Sequence, residues 1–121
     1  MIKILYVEDN EDNVYMLRMR LEKSGYEVII AENGLIGVEK TRSEKPDLVI
    51  MDVGLPVMDG HEAIKILKAD EATKSIPIII LTAHALSTDV KKAKDVGADG
   101  FETKPLNAAS LIEKIEKLTK K

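Results

Sequence analysis

The sequence contains no cysteine and no tryptophan. Without thiols there can be no cysteine nucleophile, disulfide framework or thiolate metal site, and redox chemistry says nothing about the compartment. Aromatic residues make up 3% of the chain, too few for a platform that stacks nucleobases. Positive charge is not in excess either. The 18 basic residues are outnumbered by 21 acidic ones, a net charge of -3, so the chain lacks the basic field that binding to nucleic acid or an anionic membrane requires. Long apolar runs are also missing at the start. The opening MIKILYVEDN has a short apolar stretch that ends in acids, which fits neither a signal peptide nor a membrane span. These absences predict a soluble, cytoplasmic protein with no nucleic-acid or membrane partner.

What is present is an ordinary globular composition, 45% hydrophobic and 32% charged over 121 residues, enough to bury a core without metal or disulfide support. Five short apolar runs rich in β-branched residues read as strands: Ile2 to Val7, Tyr26 to Ile30, Leu48 to Met51, Ile76 to Leu81, and a weaker one around Phe101. Several are almost continuous in Ile, Leu and Val, as in a parallel sheet covered on both faces. Between and after them lie stretches with helical spacing: Val14, Leu17 and Leu21; Leu35, Val38 and Thr41; Ala63, Ile64 and Leu67; Val90, Ala93 and Val96; Leu111, Ile115 and Leu118. Gly25, Pro46, Pro77 and Gly97 punctuate the boundaries. Strict βα alternation with right-handed crossovers predicts an α/β fold. The expected form is a three-layer, doubly wound (βα)5 sandwich of the flavodoxin-like kind, whose common five-stranded arrangement is a parallel sheet of order 2-1-3-4-5. One domain over residues 1–121 is expected, monomeric and with no output domain, so that any output passes through contact.

In such a sheet the functional crevice lies beyond the carboxyl ends of the strands. Those ends carry Glu8 and Asp9 after the first strand, Asp52 after the third, Thr82 after the fourth, and Lys104 with Pro105 after the fifth. Three carboxylates in one crevice repel one another unless a cation neutralises them or a proton is kept. Oxygen ligands point to Mg²⁺, and no His or Cys set competes. Such an ion could hold a phosphoryl group against a carboxylate nucleophile, with Lys104 as a point charge and Thr82 as a hydroxyl donor to its oxygens. Ala83 leaves space for that group.

Through the runs YVEDN, MDVGLPVMDG, LTAHA and TKP, taken in order, the whole chain resembles the bacterial response-regulator receiver domains of two-component phosphorelays, and in particular their single-domain, chemotaxis-regulator-like members. The resemblance implies that Asp52 is phosphorylated from a phosphohistidine on a sensor histidine kinase or a histidine phosphotransfer protein. It implies that Asp9, Asp52 and the backbone carbonyl of Gly54 contact Mg²⁺, with Glu8 acting partly through water. Lys104 and Thr82 would bind the phosphoryl oxygens, Phe101 would be the aromatic switch, and the peptide before Pro105 would be cis. The chain would catalyse only its own phosphorylation and slow dephosphorylation. A downstream protein would read the face made by helix four, strand five and helix five. Gly54, two residues after Asp52, has no side chain to orient an attacking water, so self-catalysed dephosphorylation is expected to be slow.

Taken singly, each residue has an ordinary reading. Glu8 and Asp9 could favour the start of the first helix, Asp52 could be a turn residue, Thr82 a cap and Lys104 a solvated surface charge. Only their joint placement at strand ends favours the functional view. Asp59, Gly60 and Pro56 are expected to shape the turn into the third helix. His61 reads as surface, His84 as surface or crevice mouth, and Lys91, Lys92 and Lys94 as a solvated helix face. Rival functions are a haloacid-dehalogenase-like phosphatase, which wants an Asp where Gly54 stands, and a flavodoxin-like or dinucleotide carrier, whose phosphate Glu8 and Asp9 would repel. A receiver-fold binding module that is not phosphorylated and a receiver excised from a hybrid histidine kinase also remain open.

Overall fold

A computed structural model describes residues 1–53, 58–82, 87–103 and 107–119, with the side chains of 87–89 outside that set. Five strands and five helices alternate along it: β1 (Lys3–Val7), α1 (Glu11–Lys23), β2 (Glu27–Ala31), α2 (Gly34–Glu44), β3 (Leu48–Asp52), α3 (Gly60–Ala69), β4 (Ile78–Thr82), α4 (Ser87–Asp95), β5 (Gly100–Thr103) and α5 (Ala108–Thr119). All strand pairs are parallel and the sheet order is β2-β1-β3-β4-β5, as expected. The reversal of strand order falls at β1 and β3, which opens a crevice beyond their carboxyl ends.

Successive side chains of a strand point to opposite faces, and the core divides accordingly. Ile4, Tyr6, Leu48, Ile50, Ile79 and Leu81 join Leu17 and Leu21 of α1 and Leu111 and Ile115 of α5 in one buried cluster. Leu5, Val7, Val49, Met51, Ile78 and Ile80 join Val38, Ala63, Ile64, Leu67, Ala93 and Val96 from α2, α3 and α4 in the other. The two clusters make the three layers. None of the helices among the described residues is long and apolar enough to cross a membrane.

The strands sit slightly later in the chain than the apolar runs alone suggest. The backbone N–H of Tyr26 is spent on Leu21 O at 3.1 Å, in the turn that Gly25 makes at φ 92°, so β2 begins at Glu27 and ends at Ala31. Likewise Ile76 N–H closes a turn on Thr73 O at 3.0 Å and Pro77 has no N–H to give, so β4 runs from Ile78 to Thr82. The core face of α2 also differs. Leu35 is exposed, whereas Gly34, Gly37, Val38 and Thr41 are buried. A Cβ on Gly37 would lie 2.9 Å from Val7 Cγ2, so α2 meets β1 through its own backbone and turns Leu35 outward.

Candidate metal and phosphoryl site

The site is assembled where β1 and β3 end. Glu8 N–H still pairs with Ala31 O at 2.9 Å, which holds the chain in the sheet for one more residue before α1 begins. By strand alternation Tyr6 and Glu8 project to the α1/α5 side, as does Asp52 at the end of β3. Glu8 and Asp52 are buried and Asp9 is exposed. A carboxylate oxygen from each of Glu8, Asp9 and Asp52 lies within 4.8 Å of the other two. That donor set suits a hard divalent cation with oxygen ligands.

Hydrogen-bond donors converge on Glu8. Its Oε1 accepts from the Tyr6 hydroxyl at 3.3 Å and from Asn13 Nδ2 at 3.2 Å. Its Oε2 accepts from the backbone N–H groups of Asp9 at 3.1 Å and Asn10 at 3.3 Å. The capping of α1 belongs to Asn10, whose side chain accepts from Asn13 N at 2.9 Å, with Glu11 and Asp12 in the first turn. Burial, followed by the negative charges of Glu8 and Asp52, drives the Tyr6 phenol far above its ordinary pKa, so it stays a neutral donor.

Thr82 ends β4, buried and paired in register with Thr103. Asp52 stands opposite Leu81, and Val53 N–H extends that pairing to Leu81 O at 3.1 Å. Phe101 is partly buried against the cluster under α2, α3 and α4, and its register partner is Ile80. Thr82, two residues beyond Ile80, therefore shares a sheet face with Phe101 as a diagonal neighbour. The next residue, Glu102, faces α5 and is buried; its Oε2 accepts from Ser110 Oγ at 2.8 Å and pairs with Lys114. Lys114 Nζ also donates to the Phe101 carbonyl at 3.0 Å.

Glu8, Asp9 and Asp52 thus come together, with Thr82 on the adjoining strand end. Gly54, Pro56, Ala83, His84, Lys104 and Pro105 lie outside the described residues. Asp59 caps α3, accepting from Glu62 N at 3.0 Å, and His61 is partly covered in that helix's first turn, its Nδ1 4.0 Å from Asp59 Oδ1. Lys91, Lys92 and Lys94 are exposed on α4.

Three residues around the site have no obvious signature in the sequence. Tyr6 reads as a strand residue and Asn13 as a polar helix residue, yet both hold Glu8. Gly60 reads as a turn, but a Cβ there would collide with the Asp52 carbonyl oxygen. Only an Asn three residues after the capping Asn10 hints at a local polar arrangement.

A family model described as the response regulator receiver domain matches residues 4–116. The chain is 38% identical over 113 residues to the polar-differentiation response regulator DivK of Brucella anthropi, covering 93% of this chain and 92% of that one. It is 41% identical over 115 residues to protein PilH of Pseudomonas aeruginosa, covering 95% of each. Among solved structures, the receiver domain of a sensor histidine kinase from Pseudomonas aeruginosa superposes with a TM-score of 0.92 at 32% identity, covering 99% of this chain and 98% of that one. That structure carries a magnesium ion coordinated in its active-site cleft.

Proposed function

The chain belongs to the response regulator receiver domain family and so is a receiver of two-component signalling, and on that footing we propose that it is a phosphoacceptor switch whose phosphorylated residue is Asp52. The observation that carries this reading is the convergence of Glu8, Asp9 and Asp52 within 4.8 Å, at the switch point of a parallel sheet. The proposed phosphodonor is a phosphohistidine on a sensor histidine kinase or a histidine phosphotransfer protein.

In the proposed reaction a carboxylate oxygen of Asp52 attacks the phosphorus of the donor in line. A P–O bond forms as the P–N bond breaks, and the imidazole leaves with the bonding pair. Mg²⁺, when bound, neutralises the carboxylates and draws charge from the phosphoryl oxygens. Asp9, Asp52 and the Gly54 carbonyl would hold it, with Glu8 supplying charge from the seat that Tyr6, Asn13 and the amides of Asp9 and Asn10 give it. Thr82 donates its hydroxyl to one phosphoryl oxygen and Lys104 neutralises another. The chain does no chemistry on a separate substrate; it catalyses its own modification and the slow loss of the phosphoryl group.

The modified Asp52 draws Thr82 towards it, and Phe101, which shares the sheet face of Thr82, moves into the space released. The face of α4, β5 and α5 then presents a changed surface to a downstream protein. We place this cycle in the cytoplasm, in a monomer. The likeness to a receiver from a sensor histidine kinase supports a second reading, in which the phosphoryl group passes onward to a phosphotransfer histidine.

The experiment is incubation with acetyl phosphate and Mg²⁺ followed by intact mass. One added phosphoryl group is expected in the wild type, and none in Asp52→Asn or with excess chelator. An unmodified wild type, or modification undiminished in Asp52→Asn, sinks the proposal.

A further inference from the structure

A buried tyrosine hydroxyl needs an acceptor, and Tyr6, whose ring belongs to the α1/α5 cluster, finds one among the described residues at the edge of the acidic site. Tyr6 and Glu8 are two residues apart on one strand face, so the ring stays among Leu17, Leu111 and their neighbours while its hydroxyl touches Glu8 Oε1. Asn13 approaches the same oxygen from the exposed first turn of α1. The backbone amides of Asp9 and Asn10 occupy the other oxygen. Glu8 has one more rotatable bond than an aspartate would, and this shell removes the freedom that bond would give.

We infer that Tyr6 and Asn13 are positioning residues for cation binding: by clamping Glu8 Oε1 they fix the carboxylate beside Asp9 and Asp52 and set both the affinity of the site and its preference for a small ion. The inference rests on the proposed reading of the acidic cluster as a Mg²⁺ site. Two physical effects support it. The donors hold Glu8 in place against repulsion by the two aspartates, so that the ligand set stays assembled before a cation arrives. A fixed carboxylate also suits the strict geometry of Mg²⁺, whereas a mobile one can add its oxygens to the larger, more variable shell of Ca²⁺. Groups that orient metal ligands commonly change metal affinity by about 10–100-fold when removed.

The test is calorimetric titration of the full chain with Mg²⁺ and, separately, with Ca²⁺, in the wild type, Tyr6→Phe, Asn13→Ala and the control Tyr15→Phe. Tyr6→Phe keeps the ring in the core and loses only the hydroxyl. Asn13→Ala removes an exposed side chain and so probes the same oxygen even where a core change disturbs folding. We expect about a tenfold rise in the Mg²⁺ dissociation constant for each variant, a smaller rise for Ca²⁺, and no change for Tyr15→Phe. A structural defect alone would weaken both ions equally. Wild-type Mg²⁺ affinity in folded Asn13→Ala and Tyr6→Phe, or an unaltered ratio of the two ions, overturns the clamp while leaving the phosphoacceptor reading intact. A wild type that binds no Mg²⁺ overturns both.

Discussion

Gly60 lies so close to Asp52 that a Cβ at position 60 would strike the Asp52 carbonyl oxygen and come within 3.1 Å of Met51 Cγ. The third helix therefore starts against the backbone of the proposed phosphoacceptor. Its first residue is glycine for reasons of space, not of turn conformation.

Gly60→Ala should cost about 1–2 kcal/mol, because overpacking against backbone outweighs the roughly 1 kcal/mol that alanine contributes to a helix. Either α3 or the end of β3 must shift, so phosphoryl incorporation from acetyl phosphate should fall as well. Denaturant unfolding and intact mass measure the two effects. A variant more stable than wild type with undiminished incorporation would refute the close-packing argument.

The seat of Glu102 makes a second prediction. Among the described residues its buried carboxylate is paired with Lys114 and Ser110, and Lys114→Met removes the charged one of the two. A loss of about 1–3 kcal/mol is expected, below the full cost of breaking a buried pair because Lys114 is partly exposed. The double variant Glu102→Leu/Lys114→Met should recover most of it. Equal instability in the single and double variants would show that the pair is not what Lys114 supports.

Asp70 gives a pH-dependent contribution. The Ala72 backbone N–H, and then the Arg42 guanidinium, hold its carboxyl below the ordinary value of 3.8, with Ala72 N at 3.0 Å and Arg42 Nε at 2.9 Å. A group whose folded pKa is lowered stabilises above its unfolded pKa, and that stabilisation is lost as pH falls through the folded one. The stability difference between wild type and Asp70→Asn should therefore be level near neutrality and shrink below about pH 4. Unfolding midpoints across that range decide it; a difference that grows on acidification contradicts the sign.

Position 54 makes a prediction about the lifetime of the proposed phosphorylated form. With no side chain two residues after Asp52, nothing there can orient the attacking water, and hydrolysis of the phosphorylated form should be slow. Gly54→Asn should shorten its lifetime, by up to about tenfold given what a positioned group contributes to water attack. Phosphate release from purified phosphoprotein measures this, and equal or slower loss in the variant would refute it.

Much of this protein was legible in one dimension. The runs ending at Val7, Met51 and Leu81 mark strands because β-branched residues in near-continuous stretches can be buried on both faces. The acids, Asp52 and Thr82 stand out because they interrupt those runs at corresponding ends. Strand order followed once alternation and handedness were joined to the common arrangement of five-stranded doubly wound sheets. Local pattern thus determined the elements, their order and the edge of the sheet on which the polar residues gather.

What only the tertiary structure decided concerns close approach. Leu35 has helical spacing, but Gly37 lets α2 rest on Val7 and turns Leu35 to solvent. Tyr6 meets Glu8 because both point to one face of β1, Asn13 meets it because the first turn of α1 returns to the end of that strand, and Gly60 matters only because α3 begins against Asp52. Hydrophobic periodicity encodes which way a side chain faces, since burial depends on direction and area. Which donor meets which acceptor depends on separations of a few ångströms, and those are settled only when strand register and helix packing close together.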